Sequence, residues 1–246
     1  MCKLVYQAKQ KAQFDELEAK FKQGLKPMVV CDRVQDYIND PRRSLTTAFF
    51  TPPEINQVIQ NKLIEPLRAI DPNQYYLPPE SLHLNLLILA YNTNPPTFTE
   101  EDAQDIKQIL EETLPNCPPI TYTLKGILVG PNSLAVRGYT GIELQQTVRT
   151  IQKKLLPLGF DTSIGQVSKE IFFGNVTFCR FTHDPSPEFL AKVMELKHQF
   201  VGKTTPSKLH LISSSVVFHL TQHKFYATIS VGSNLTPETK FDYLPE

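Results

Sequence analysis

Two strand-like segments that carry polar residues most constrain how this chain can fold. Residues 82–90 read LHLNLLILA, and residues 171–180 read IFFGNVTFCR. The front half of the first alternates and its rear half is apolar. One end is therefore buried on both faces, while the other opens onto something polar. Around these segments the two halves of the chain repeat an order: strand, helix, polar-centred strand, then helix and strands again. The repeat is architectural and not one of sequence identity. It predicts one α+β domain of two similar lobes, with the two polar-centred strands facing each other across a cleft.

The remaining elements follow from periodicity and punctuation. Residues 7–23 read as a helix with Phe14, Leu17 and Phe21 on one face, stopped by Gly24 and Pro27. Residues 28–31 read as a short strand, and the polar run ending in Asn39-Asp40-Pro41-Arg42-Arg43 as a turn or linker. A boundary near Ser44 divides the chain into a helical extension (1–43), the main domain (44–234) and a poorly ordered tail (235–246). LTTAFF (45–50) is a strand by β-branched and aromatic content. Thr51-Pro52-Pro53-Glu54 then reads as a helix entry capped by Thr51. That helix ends near Pro66 or continues with a kink to Ile70, and residues 75–80 are extended and broken by proline. Helices are predicted over 100–114, 143–156 and 187–200, and strands over 121–129 and 133–137. Gly174 marks a bulge. Strands 208–218 and 224–231 close the chain as a hairpin around Thr221-Gln222-His223.

Composition narrows the function. Lys+Arg and Asp+Glu both number 25 in 246 residues, so the net charge is zero. Long duplex nucleic acid needs a basic face, which this balance disfavours. A cleft for one phosphate needs only a few aimed donors and remains compatible. With 20 prolines against 10 glycines, no glycine-rich phosphate cradle occurs. No apolar run approaches the roughly 20 residues of a membrane helix. Cys2, Cys31, Cys117 and Cys179 form no CxxC pair and no zinc-type spacing. The first residues lack the apolar core of a signal peptide. The expectation is a cytoplasmic chain with reduced cysteines, no metal and no cofactor.

Tyr75-Tyr76-Leu77-Pro78-Pro79-Glu80-Ser81-Leu82-His83-Leu84-Asn85 resembles the first motif of the 2H phosphoesterase superfamily, the bacterial RNA ligase and cyclic phosphodiesterase proteins. There an aromatic and a proline-glutamate turn precede His-x-Thr in a strand. SLTTAFFTPPE is similar to the opening strand and helix, and KLHLISSSVVFHLTQHKFYATIS to the closing strands. Asn175-Val176-Thr177 stands where the second His-x-Thr belongs. The resemblance covers residues 44–233. It implies a bilobal fold of two antiparallel sheets with helices outside, and a metal-independent phosphodiesterase acting on a 2′,3′-cyclic phosphate of a nucleotide or RNA end. Its ligand would be a nucleotide, an RNA end or another phosphorylated small molecule, and the chain a monomer.

In that family one histidine is the general base and the other the general acid, and hydroxyls two residues on hold phosphate oxygens. The i, i+2 spacing puts both side chains on one strand face. Here the catalytic positions are His83 and Asn175, and the substrate-binding candidates are Asn85, Thr177, Arg180 and Tyr226. The sequence departs twice from the pattern, with Asn85 for Thr and Asn175 for the second His. An amide donates to a phosphate oxygen but transfers no proton near neutral pH. Three readings therefore stay open: weak or altered hydrolysis, a lapsed site that binds a phosphorylated ligand, and, more distantly, a protein-interaction module on the same scaffold with no phosphate site. Plain structural readings stand beside these. His83 would be a hydrogen-bonded core residue, Asn175 a turn or bulge residue, Thr177 ordinary strand content and Arg180 a solvated strand end. Tyr226 would either stack on a base or pack in the last strand. His219-Leu220-Thr221 also spells His-x-Thr. Too few residues follow it for the family's second half, so it reads as the end of a strand.

Overall fold

The computed structural model describes residues 3–22, 39–164, 166 and 168–235. In chain order its elements are α1 (Lys3–Lys22), β1 (Arg43–Phe50), α2 (Pro53–Ile59), α3 (Glu65–Arg68), β2 (Tyr75–Tyr76), β3 (His83–Thr93) and α4 (Glu100–Thr113). There follow β4 (Tyr122–Val129), β5 (Ser133–Tyr139), α5 (Glu143–Leu155), β6 (Gly174–Arg180), α6 (Pro187–Glu195), β7 (Phe200–Thr204), β8 (Lys208–Ser214) and β9 (Lys224–Ser230). The strands form two antiparallel sheets, ordered β3-β1-β8-β9 and β2-β6-β5-β4-β7. The chain is thus α+β with two antiparallel sheets, as the repeat and the resemblance predict.

Local chemistry starts and stops the helices. Thr99 and Asp102 form a reciprocal cap on α4, with Thr99 Oγ1 accepting from the Asp102 amide at 3.1 Å. Ser186 caps α6 by accepting from the Phe189 amide at 3.1 Å. Apolar stripes then bury each helix: Ala103, Ile106 and Leu110 from α4, and Val148, Ile151 and Leu155 from α5. They join Tyr122, Val136, Val176 and Phe178 of the second sheet in one core. Burying each isoleucine, leucine, valine or phenylalanine side chain among them is worth about 1.5–3 kcal/mol.

Several boundaries differ from expectation, each for a physical reason. Thr51 does not cap α2. Its hydroxyl donates to the Leu82 carbonyl at 3.0 Å, joining the end of β1 to the entry of β3. Of the two courses open at Pro66, the chain takes the second and continues past the proline. A π-helical turn, Gln60–Ile64, carries the chain from α2 into α3, and such a turn relieves the clash of the proline ring with the preceding turn. The helix expected over 187–200 ends at Glu195, and Phe200–Thr204 is a strand on the edge of the second sheet. Gly174 is not a bulge: a Cβ there would lie 2.6 Å from Tyr122 and 2.9 Å from Leu84, so it permits a close approach.

The helix expected over 7–23 spans Lys3–Lys22, but its buried stripe is Tyr6, Gln10, Phe14 and Glu18. Apolar periodicity alone missed this face, because two of its four residues are polar. Tyr6 Oη accepts from the Phe172 amide at 3.0 Å, and Gln10 donates to the Phe172 carbonyl at 2.6 Å. These bonds occupy the backbone of residue 172, and β6 begins only at Gly174. The strand read over 28–31 and the tail from 236 lie outside the described residues.

Candidate active site

β3 carries three register shifts against β1, and the first two met along the strand aim its cleft-facing side chains. Opposite β1, Asn85 pairs with Ala48 and Leu87 with Thr47, leaving Leu86 as an extra residue; Leu89 is a second one. Each extra residue shifts the alternation by one. His83, Asn85 and Ile88 consequently share one face and line one hollow. In β6 the extra residue is Phe178, between Thr177 opposite Ala135 and Cys179 opposite Leu134. This bulge keeps Cys179 buried and turns Arg180 back to the face of Thr177.

The hollow has a volume of about 390 Å³ and brings together His83, Asn85, Thr177 and Arg180 from the two sheets. Asn175 lines a second hollow of about 300 Å³, which shares Asn85, Ile88 and Thr177 with the first. Five of the six predicted site residues thus meet along one cleft. Tyr226 does not. It sits on β9, donates to Glu100 Oε1 at 3.0 Å and carries the Lys224 ammonium 4.8 Å from its ring centre. Nor does His219 end a strand. It follows Phe218 in a loop, with Nδ1 2.8 Å from Thr221 Oγ1, and lines neither hollow.

His83 Nδ1 lies 2.7 Å from the Ser81 carbonyl. A carbonyl only accepts, so Nδ1 carries the hydrogen and the neutral ring keeps its lone pair on Nε2. Burial pushes the His83 pKa down to about 4, with Arg180 and His223 adding to the shift and the Ser81 carbonyl opposing it. The ring is stacked on Phe218, centroids 3.7 Å apart and planes at 21°. Phe218 takes a positive φ of 55° to do so, an uncommon conformation for a bulky residue. β8 ends at Ser214, short of the residue 218 that the sequence predicts, and the Phe218 amide donates to the Ser215 carbonyl at 3.1 Å in the turn that follows. Phe218 also meets His223, centroids 4.6 Å apart. Arg180 Nη2 donates to the Val216 carbonyl at 3.2 Å, tying the same loop to β6. Among the described residues no group of three or more His, Cys, Asp or Glu comes together to hold a metal ion.

Burial likewise pushes the His223 pKa down to about 4. An unfolded imidazole titrates near 6.5, so below that pH the unfolded chain binds protons that the fold refuses. This contribution to stability is complete above pH 6.5 and is lost as pH falls towards 4. Each pH unit in that window costs up to about 1.4 kcal/mol per histidine. The melting temperature should therefore drop steeply between pH 6.5 and 4.5, and His223→Phe should flatten the drop. A level melting temperature over that window would contradict the assignment.

Sequence reasoning missed Phe218, Thr46 and Leu17. Thr46 Oγ1 lies 3.3 Å from Asn85 Oδ1, and Leu17 of α1 forms part of the second hollow's wall. The sequence SSSVVFHLTQ reads as a continued strand, and nothing local in it marks the left-handed turn at Phe218.

No family model and no curated protein matches the chain. Solved structures do. TT0787 of Thermus thermophilus is 16% identical at a TM-score of 0.57, over 77% of this chain and 98% of that one. LigT of E. coli complexed with 3′-AMP is 15% identical at a TM-score of 0.52, again over 77% and 98%. ATU0111 from Agrobacterium tumefaciens, a protein of unknown function, is 12% identical at 0.54, over 78% and 86%. The chain has the fold of the 2H phosphoesterase superfamily, as its motifs imply. Among the described residues no helix is long and apolar enough to cross a membrane.

Proposed function

We propose that the cleft holds a phosphate of a nucleotide or RNA end, and that the chain binds this ligand with little turnover. One observation carries the reading. His83 and Arg180 share one hollow, while the second motif contributes the amide of Asn175 where its pattern calls for a second imidazole. Arg180 supplies positive charge suited to phosphate oxygens. The Asn85 amide and the Thr177 hydroxyl add neutral donors at the same place. A bound phosphate also draws a proton onto His83 Nε2, because a nearby negative charge favours the imidazolium. Opening a cyclic phosphate asks for more: one group to activate water and a second to protonate the leaving ribose oxygen. Among the described residues lining the first hollow, His83 is the imidazole, and no carboxylate stands beside it. Losing one general acid or base costs about 10²–10⁴ in rate. The 2H fold of LigT, seen complexed with 3′-AMP and with phosphate, supports a nucleotide-type ligand.

The test is melting with ligand, together with turnover of 2′,3′-cyclic nucleotides. Inorganic phosphate and 3′-AMP should each raise the melting temperature, by about 2.7 kcal/mol of stability at a hundred times Kd. Arg180→Ala should weaken both at least about tenfold, the loss of one charge-assisted pair. Absence of any shift with either ligand overturns the reading. Turnover of a cyclic nucleotide at about 1 s⁻¹ or faster, the range of ordinary enzymes, overturns the claim of little turnover.

A further inference from the structure

The register of the second sheet puts α1 and the second motif on one face. Asn175 stands opposite Arg137, and Thr177 opposite Ala135. Residues directly opposite in an antiparallel pair share a sheet face. Arg137 is held by Asp15 and Glu18 of α1, and Ala135 packs with Phe14 of the same helix. α1 therefore lies beside Asn175 and Thr177, and its Leu17 helps to enclose the second hollow.

The chemistry of the two hollows is unequal. The first carries an arginine and a histidine. Among the described residues that line the second, none is charged. Its polar groups include the amides of Asn85 and Asn175 and the hydroxyl of Thr177, set between apolar walls such as Leu17, Leu128 and Phe173. The Asn175 amide and the Thr177 hydroxyl bond to no other described residue. An uncharged, half-apolar hollow is poor for a phosphate. It suits a flat ring with hydrogen-bonding edges, since a carboxamide presents a donor and an acceptor side by side, as a base edge does. The two hollows meet at Asn85, Ile88 and Thr177, so one ligand can enter both.

We propose that the second hollow is a nucleobase subsite, in which Asn175 reads the edge of the base and α1 supplies a wall. The subsite extends the phosphate reading above and rests on it for the placement of the rest of the ligand. The residue that leaves the site without a second imidazole would thus serve recognition instead.

Dissociation constants for AMP, adenosine, ribose 5-phosphate, hexyl phosphate and inorganic phosphate, measured on the full chain, test this. AMP should bind at least about tenfold tighter than ribose 5-phosphate, the discrimination expected of a paired amide. Asn175→Ala should bring that ratio towards one. Leu17→Trp, which fills the hollow from a half-buried position on α1, should do the same without touching the polar groups. Equal affinity for AMP and ribose 5-phosphate overturns the subsite, and so does tighter binding of hexyl phosphate than of AMP. Adenosine separates the two readings. If adenosine binds and Asn175→Ala removes it while inorganic phosphate does not bind, the phosphate reading fails and the base subsite stands.

Discussion

Asn175→His is expected to raise hydrolysis of a 2′,3′-cyclic nucleotide at least about 100-fold over the wild type, the low end of what one proton-transfer group contributes. Position 175 shares its strand face with Thr177, as His83 shares its face with Asn85. An imidazole at 175 would restore one proton-transfer group to each motif strand. The pH profile gives the reaction a signature. His83 acts as base only when neutral, above its pKa of about 4. The introduced imidazole acts as acid only when protonated, below an ordinary histidine value near 6.5. kcat/KM, which reports the ligand-free chain, should therefore form a bell between those limits, rising through the first and falling through the second. Adding His83→Ala to this variant should return the rate to the wild-type level. Release of nucleotide followed by chromatography is the measurement. No gain in a variant that still melts cooperatively and binds phosphate would mean that the missing acid is not what holds turnover down.

The largest effect on stability is expected from Arg137→Leu. The Arg137 side chain is 7% exposed and that of Glu18 is 6% exposed. Arg137 donates to Glu18 Oε1 at 2.5 Å, to Asp15 Oδ1 at 2.9 Å and to the Ile127 carbonyl at 3.2 Å. Its guanidinium also lies 5.3 Å from the centre of the Phe14 ring. Burial alone would push the Glu18 carboxyl up, but Lys197 and Arg137 outweigh it and hold the group below its ordinary range. Removing Arg137 leaves a buried carboxylate with Lys197 as its remaining cation. Breaking a buried pair from one side costs about 3–5 kcal/mol. At about 2–4 °C per kcal/mol for a chain of this size, the melting temperature should fall by about 6–20 °C. Arg137→Leu with Glu18→Met should recover part of the loss, since no unpaired charge then remains. A fall under 2 °C for the single variant would show that the ion pair does not anchor α1. The pair also bears on the cleft, because α1 carries Leu17 to the second hollow.

Legibility followed the range of the interactions involved. Asn175 and Thr177 could be placed on one face from i, i+2 spacing alone, and so could His83 and Asn85, because strand alternation is local. Arg180 breaks that spacing relative to Thr177. It reaches the cleft only because of the bulge at Phe178, which the pairing with β5 creates. Gly174, the residue read as a bulge, instead makes room for Tyr122 and Leu84 from other strands. Tyr226 belongs to the closing-strand motif, which assigns it to the site. In the structure its hydroxyl goes to Glu100 on α4. On α1, polar Gln10 and Glu18 occupy the buried stripe because Thr140, Phe172, Arg137 and Lys197 await them there. A hydrophobic pattern has no term for such partners.

By itself, then, the sequence determined the two motif strands, the residue types they carry and the missing second imidazole, since all of these are set by neighbours in the chain. Only the tertiary structure decided which side chains meet. The turn of Phe218 onto His83, the return of Arg180 to the cleft and the seating of α1 beside Asn175 depend on packing between residues far apart in sequence. Such contacts win or lose against local preference only once the two sheets have come together.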